Sequence, residues 1–267
     1  MSNWQYIRTE VEDRIATLTI DHPPVNSFNK QVVKELNEAI DQLLADDGVK
    51  AIVITGGGTN AFVAGADIPE IKELLDNPAD GYAASREFIM RGQGLFQKIS
   101  RAPKPIIAAI NGFCLGGGLE LAMACHMRVC SDRARLGQPE INLGIIPGWG
   151  GTQRLPRIVG VGKAIELILT GDQIPAQEAF RLNLVNKVVP AGAVLKEARD
   201  LARRIVSKSR FPIAATLRAV TDGLDAPTIE DGLRIEAEQF VSLADTEDIR
   251  EGVGAFLGKR QPQFKDK

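Results

Sequence analysis

The amino-acid sequence predicts an α/β fold in which a strand-rich part comes first and a helix-rich part follows. Short apolar runs at residues 51–55 and 105–110 are typical of strands buried on both faces of a parallel sheet. Glycine clusters follow both runs, whereas the apolar spacing after Thr152 is mainly helical. Because no linker or low-complexity stretch separates the two parts, we expect a core over residues 1–190 and a helical region over residues 191–267.

Strands and helices alternate in the first half of the chain. The apolar segment 15–20 is stopped by Pro23, and apolar side chains at Val32, Leu36 and Ile40 then mark one face of a helix. The predicted strands are 4–11, 15–20, 51–55 and 105–110. Ser27 or Asn29 is expected to cap the first helix. A loop is predicted at 59–67, followed by helical stretches up to about residue 99 and a short helix at 119–124.

The second half carries two strand segments among a series of helices. Segment 127–138 reads as one or two strands, and 185–189 as a last strand. The predicted helices are 164–169, 176–182, 193–206, 213–222 and 229–243.

Composition excludes several classes of function. The 267 residues carry 32 basic and 34 acidic side chains, so their balance gives no basic field for nucleic acid or an anionic membrane, and we expect neither partner. No signal peptide or long apolar run is present, and three cysteines form no disulfide framework, which favours a cytoplasmic protein. Two histidines, His22 and His126, and the absence of C-x-x-C spacing predict no metal site.

Glycine-rich backbone follows two of the predicted buried strands. Residues 64–67 read Ala-Gly-Ala-Asp and residues 116–118 are three glycines, each ahead of a helix. Exposed N–H groups at such places bind anions, and two of them facing one cavity would form an oxyanion hole. The pattern G-x-x-x-G-x-G at 112–118 also occurs in dinucleotide sites, but it does not follow the first strand, and tight packing is the other interpretation.

Two glutamates lie in apolar surroundings. Glu120 falls in the first turn of the helix after the glycines, where the helix dipole favours the anion. Glu140 precedes an apolar run at 141–146, where desolvation favours the neutral acid. Both could equally be structural carboxylates, one at a helix start and one capping a turn, and the pattern alone does not bring them together.

Four motifs together resemble the crotonase family, and specifically its short-chain enoyl-CoA hydratases. The resemblance covers nearly the whole chain. The matching segments are Pro-Val-Asn-Ser at 24–27, Ala-Phe-Val-Ala-Gly-Ala-Asp-Ile at 61–68, Asn-Gly-Phe-Cys-Leu-Gly-Gly-Gly-Leu-Glu-Leu-Ala at 111–122, Gly-Gln-Pro-Glu at 137–140 with Pro-Gly-Trp-Gly-Gly-Thr-Gln-Arg-Leu at 147–155, and a tail from Glu251 to Phe264.

The resemblance implies a spiral of ββα units with a C-terminal helical region used in trimerisation, and trimers that pair into hexamers. It implies that the N–H groups of Ala66 and Gly117 hold a thioester oxygen and that Glu120 and Glu140 are the catalytic pair. The same resemblance implies further substrate- and CoA-binding positions at Val25, Asn26, Ala64, Gly65, Asp67, Ile68, Gly116, Pro139 and Gly148.

The implied activity is reversible addition of water to a 2-trans-enoyl-CoA, with an acyl-CoA substrate and no separate cofactor, because CoA is part of the substrate. One alternative is another reaction of the family, either enoyl-CoA isomerisation or hydration of a branched or cyclic enoyl-CoA. A second alternative is a module that binds CoA esters or RNA without turnover. The basic residues at 199–210 would serve RNA, although a solvated helix face is the simpler interpretation.

Overall fold

Two sheets contain the strands of the chain, and from β3 to β8 successive strands alternate between them. The computed structural model describes residues 4–76 and 81–267. Among these residues the larger sheet contains β1 (Ile7–Glu12), β2 (Ile15–Ile20), β3 (Ala51–Gly56), β5 (Ile106–Ile110), β7 (Met127–Ser131) and β10 (Lys187–Val189), and the smaller contains β4 (Ala61–Ala64), β6 (Phe113–Leu115), β8 (Arg135–Gly137) and β9 (Gln173–Pro175).

Repeated strand–strand–helix turns produce a spiral. In the larger sheet the order is β1-β2-β3-β5-β7-β10, antiparallel at β1–β2 and parallel elsewhere. In the smaller sheet the order is β4-β6-β8-β9, antiparallel only at β8–β9. Each of the pairs β3–β4, β5–β6 and β7–β8 therefore places one strand in each sheet before a helical segment follows, which confirms the ββα spiral.

Eleven α-helices lie in the described part of the chain, and one of them, α4, is buried along its whole length. They are α1 (Lys30–Ala45), α2 (Ile68–Asp76), α3 (Gly81–Ser100), α4 (Gly117–Ala124), α5 (Gly151–Val159), α6 (Val161–Thr170), α7 (Ala176–Arg181), α8 (Val194–Val206), α9 (Arg210–Asp225), α10 (Ile229–Val241) and α11 (Glu247–Leu257). Asn29 caps α1, since its side chain accepts a hydrogen bond from Val32 N.

Both faces of the larger sheet are buried, which accounts for the unbroken apolar sequence of its strands. One face contributes Leu18, Ile54 and Ala108 to the main core between the sheets. The other face contributes Ile15 and Val53 to a second cluster, which α8 covers. This two-sided burial is the arrangement that unbroken apolar runs favour in parallel sheets.

The smaller sheet was largely missed by the sequence pattern. Residues 61–64 were expected to be loop but form β4, and no strand was predicted at β6 or β9. These strands have only three or four residues, so the period-two signal is too short to detect. Helices α5 and α11 were also not singled out, and the helix expected across residues 77–80 falls outside the described residues.

The last three helices are weakly buried. Among the described residues, α9 to α11 bury only Ala215, Asp248 and Ala255, although the helices carry many apolar side chains. The predicted boundary between 190 and 191 stays a prediction, and by packing α8 belongs with the larger sheet. No helix in the described part of the chain is long and apolar enough to cross a membrane.

Candidate active site

The site is built where three neighbouring parallel strands end. Strands β4, β6 and β8 lie side by side in register, with Ala64 opposite Leu115 and Leu115 opposite Gly137. The segments that follow them are 65–67, 116–117 and 138–140. Parallel strands have their carboxyl ends at one edge, so three separate motifs of the sequence meet there.

A mostly apolar cavity of about 860 Å³ opens at this edge. It is lined by Ala64, Gly65, Ala66, Ile68, Ile71, Ser85, Phe88, Ile89, Gln93, Leu115, Gly116, Gly117, Glu120, Pro139, Glu140, Leu143, Gly144, Ile145, Ile146, Pro147, Gly148, Trp149, Gly150, Thr152 and Gln153. An apolar cleft of this size with two carboxylates in its wall has the character of a small-molecule site.

Glu120 is held rigidly in the cavity wall by backbone donors. Its side chain projects from the first turn of α4 and is 2% exposed. One oxygen, Oε1, accepts hydrogen bonds from the N–H groups of Trp149 at 2.8 Å and Gly151 at 2.7 Å. Both bonds use the same oxygen, so Oε2 is left for a molecule in the cavity.

Glu140 reaches the same cavity from a short 3-10 helix at Pro139–Leu143. When the amide nitrogen of the fully buried Gln138 faces the carboxylate, it donates to both Glu140 oxygens at 2.9 and 3.0 Å. Gly116 approaches from the other side: its φ is +52°, and a Cβ there would lie 2.8 Å from Glu140 Oε1. Only glycine fits this position, because it meets both the backbone and the space requirement.

The two carboxylates have different electrostatic surroundings. Burial, with a smaller contribution from the negative charge of Glu120, raises the pKa of Glu140 to about 7. Burial also raises the pKa of Glu120, but the Gly151 and Trp149 N–H groups and the charge of Arg154 oppose that shift. These donors stabilise the Glu120 anion and therefore favour protonation of Glu140 before Glu120.

The N–H group of Ala66 points toward the cavity. A parallel bridge joins Phe28 to Ala66, in which Phe28 N–H donates to Gly65 O at 2.9 Å and Asp67 N–H donates to Phe28 O at 2.8 Å. Successive N–H groups of an extended chain alternate in direction. The Ala66 N–H therefore lies on the side away from Phe28, where Ala66 lines the cavity.

Gly117 offers a second N–H group beside that of Ala66. It is the first residue of α4, and N–H groups in a first helical turn have no partner within the helix. Neighbouring strands such as β4 and β6 are about 4.8 Å apart. One oxygen can accept from two nitrogens at about 2.9 Å each across such a gap. Ala66 and Gly117 each lie two residues beyond the paired residues Ala64 and Leu115, so we expect their N–H groups to be close enough to share one oxygen atom.

Glycine at position 118 lets α4 approach β4 closely enough for this geometry. A Cβ on Gly118 would lie 2.0 Å from Val63 O. Any larger residue would push the helix, and with it Gly117 and Glu120, away from the end of β4.

The remaining predicted binding residues divide into two groups. Six of them line the cavity: Ala64, Gly65, Ile68, Gly116, Pro139 and Gly148. Three support the wall from behind: Asn26 Nδ2 donates to Gly57 O and Ala61 O, Val25 O accepts from Ala64 N–H, and Asp67 Oδ1 accepts from Glu70 N–H at the start of α2. Direct contact of these three with a ligand stays a prediction.

Three residues that sequence reasoning did not single out are integral to the site. Gln138 contacts Glu140, Trp149 lines the cavity, and Arg154 Nη1 donates to Trp149 O at 2.9 Å. All three lie within the quoted motifs at 137–140 and 147–155. Their motif membership was a signal, but their contacts depend on loop geometry that spacing does not reveal.

The family model described as enoyl-CoA hydratase/isomerase matches residues 10–267. The chain belongs to this family. Among the curated relatives of this chain, a probable enoyl-CoA hydratase of Bacillus subtilis is 45% identical. The match covers 97% of this chain and 98% of the relative. A crotonyl-CoA hydratase of Syntrophomonas wolfei is 43% identical and covers 99% of both chains.

Solved structures of enoyl-CoA hydratases have the same fold as this chain. The crystal structure of an enoyl-CoA hydratase from Bacillus anthracis superposes with a TM-score of 0.92 at 34% identity, over 98% of this chain and all of the other. A second, from Geobacillus kaustophilus, gives a TM-score of 0.94 at 33% identity over the full chain and 98% of the other. The predicted crotonase-like architecture is confirmed.

The raised pKa of Glu140 predicts a pH-dependent stability difference. Its pKa is about 7 in the folded protein against an ordinary value of 4.5, so folding is favoured while the group is protonated. This contribution is complete below the ordinary value and is lost as pH rises toward about 7. Glu140→Gln, which stays neutral, should therefore gain melting temperature relative to the native protein across that interval.

Thermal unfolding of both proteins at a series of pH values measures the difference. The infrared carbonyl band of a protonated carboxylic acid, present in the native protein slightly below neutral pH and missing in the variant, gives a second readout. A melting-temperature difference that stays constant across the interval would contradict the assignment.

Proposed function

We propose that this chain is an enoyl-CoA hydratase, a hydro-lyase that reversibly adds water in the syn sense to a 2-trans-enoyl-CoA to give a 3-hydroxyacyl-CoA. The observation that carries the proposal is the juxtaposition of Glu120 and Glu140 in one cavity whose lining also includes Ala66 and Gly117. The relatives named as enoyl-CoA or crotonyl-CoA hydratases support it.

The two N–H groups provide the electron sink that this reaction needs. Water is a poor nucleophile and C3 of an enoyl thioester is a weak electrophile. As water adds to C3, negative charge develops on the thioester oxygen, where Ala66 and Gly117 stabilise it. Each such donor is worth about 3 kcal/mol in comparable sites.

The carboxylates move the two protons. Glu120, held as the anion by its two backbone donors, takes a proton from water through Oε2 as the oxygen attacks C3. Glu140, which carries the shared proton, delivers it to C2. Glu120 gains one proton as Glu140 loses one, so the pair holds one proton in total before and after hydration. The reverse steps remove water from the 3-hydroxyacyl-CoA.

The rest of the substrate is the CoA ester itself, and the reaction as proposed needs no metal or redox cofactor because no electrons are transferred. We propose the predicted positions that line the cavity, Ala64, Gly65, Ile68, Gly116, Pro139 and Gly148, as contacts for the thioester and CoA. The cytoplasmic location expected from the sequence remains part of this proposal.

Ion pairs neutralise three of the five basic residues between 199 and 210, the segment that the RNA-binding alternative would use. Arg199 pairs with Glu12, Arg203 with Asp200, and Arg210 with Asp47. Neutralised charges of this kind give little attraction for a phosphate backbone. The RNA-binding alternative therefore gains no support, while isomerisation and branched substrates remain outcomes of the assay below.

We also propose that the chain forms a homo-oligomer, a trimer or a dimer of trimers, through its C-terminal helices. Large apolar side chains there are strongly exposed: Leu224 83%, Ile229 71%, Leu233 55%, Phe240 72%, Val253 57%, Phe256 83% and Leu257 76%. A surface this apolar is typical of an interface. Light scattering at micromolar concentration should give three or six times the 28.9 kDa chain mass, and a stable monomer would refute the assembly.

Replacing either glutamate should nearly abolish hydration. Glu120→Gln and Glu140→Gln should each lower kcat for crotonyl-CoA by at least about 100-fold, because each removes one proton-transfer group. The double variant should lose much less than the product of the single losses, since both groups act in one event. Loss of the enoyl-thioester absorbance measures the rate.

Glu38→Gln is the matched control, because Glu38 lies on α1 outside the cavity and glutamine can still accept from Trp4 Nε1. Exchange of the C2 proton of a saturated acyl-CoA in D2O separates the two roles. It should persist better in Glu120→Gln than in Glu140→Gln. The reverse order would exchange the assigned roles, and full hydration by either single variant would remove the two-glutamate mechanism. Products of a double-bond shift, or turnover only of branched or cyclic substrates, would identify another reaction of the family.

A further inference from the structure

The indole of Trp149 forms the cavity wall next to the proposed oxygen site. A Cβ on Gly117 would lie 3.0 Å from both Cε3 and Cζ3 of the ring, so the ring rests against the Gly117 backbone. At its other edge, a Cβ on Gly92 of α3 would lie 2.3 Å from Nε1. The ring therefore spans the space between the start of α4 and the middle of α3, and the glycine at 92 leaves room for it.

This wall is fixed in place. Three aromatic rings surround the indole, with centroid distances of 5.5 Å to Phe28, 5.1 Å to Phe88 and 5.5 Å to Phe96. The Trp149 backbone is held by its N–H bond to Glu120, while the packing of the three rings restrains the indole itself. Within the described residues the buried Nε1 has no hydrogen-bond partner, so no polar contact orients the ring, and its shape alone fits the position.

We propose that Trp149 sets the upper length of the acyl chain and restricts the site to short, unbranched enoyl groups. The inference rests on the proposed function. The proposed reaction puts the thioester oxygen at Gly117 and C2 and C3 beside Glu120 and Glu140. The indole rests against Gly117 and lines the same cavity, so it is the wall that we expect carbon atoms beyond C3 to meet. The neighbouring lining residues Phe88 and Ile89 are apolar, which suits a hydrocarbon group and excludes a polar one.

The ratio of kcat/KM for octenoyl-CoA to kcat/KM for crotonyl-CoA tests the proposal. Opening the wall with Trp149→Ala should raise this ratio by at least about tenfold, since a single methylene in an apolar pocket already changes discrimination by that order. Trp149→Phe keeps an aromatic ring, removes the unpartnered N–H and should give a smaller rise. The ratio does not depend on the folded fraction, and the phenylalanine variant preserves the test if the alanine variant is unstable.

Phe96→Leu is the matched control. Phe96 packs against the indole but is buried in the main core, so this change loosens the cluster without opening the wall directly. The ratio should stay within about twofold of the native value, which is far below one methylene's discrimination. An equal rise in Phe96→Leu and Trp149→Ala, or an unchanged ratio in both Trp149 variants with crotonyl-CoA turnover retained, would overturn the proposal.

Binding of saturated substrate analogues separates this inference from the proposed function. Calorimetry with butyryl-CoA and octanoyl-CoA measures length preference without any turnover. If the native protein bound these esters but did not hydrate crotonyl-CoA, the hydratase proposal would fail. The relative gain in octanoyl-CoA affinity in Trp149→Ala would still decide the role of Trp149.

Discussion

The site depends on one pair of hydrogen bonds, in which a single oxygen of Glu120 accepts from two backbone N–H groups. The hydrogen bonds from Trp149 and Gly151 join the segment 147–151 to α4, two parts of the chain that are separate in sequence. They offset part of the cost of burying a carboxylate and leave its other oxygen for the cavity. Arg154 reinforces the same loop through Trp149 O, so the side chain, the loop and the cavity wall form one unit.

That arrangement also explains why two carboxylates in one cavity can behave differently. Both are raised in pKa by burial, but only Glu120 has two short backbone bonds and a nearby guanidinium to favour its anion. Sequence reasoning reached the same division from the helix dipole at Glu120 and the apolar run after Glu140. The structure supplies a stronger cause, because direct hydrogen bonds to one oxygen act at closer range than a dipole.

The larger sheet and most helices could be predicted from the sequence, since strands such as β2, β3 and β5 are continuous apolar segments bounded by turn residues. Most of the smaller sheet, which assembles the site, could not; only β8 falls within a segment, 127–138, that the sequence predicts as strand. Strands β4, β6 and β8 are short, and their register depends on contacts between residues far apart in the chain. Motif resemblance identified the glutamates and the candidate N–H groups, whereas the support from Gln138 and Arg154 required three-dimensional structure.

In the proposed mechanism both proton-transfer groups act from the same side of the bound enoyl group, because Glu120 and Glu140 follow adjacent parallel strands and share one cavity. Hydration of crotonyl-CoA in D2O tests it most directly, with the configuration at C2 and C3 of the product read from proton coupling in its NMR spectrum. We expect a single product in which deuterium at C2 and oxygen at C3 were added to the same face. Anti addition, or a mixture of the two configurations at C2 formed during the first turnover, would contradict it.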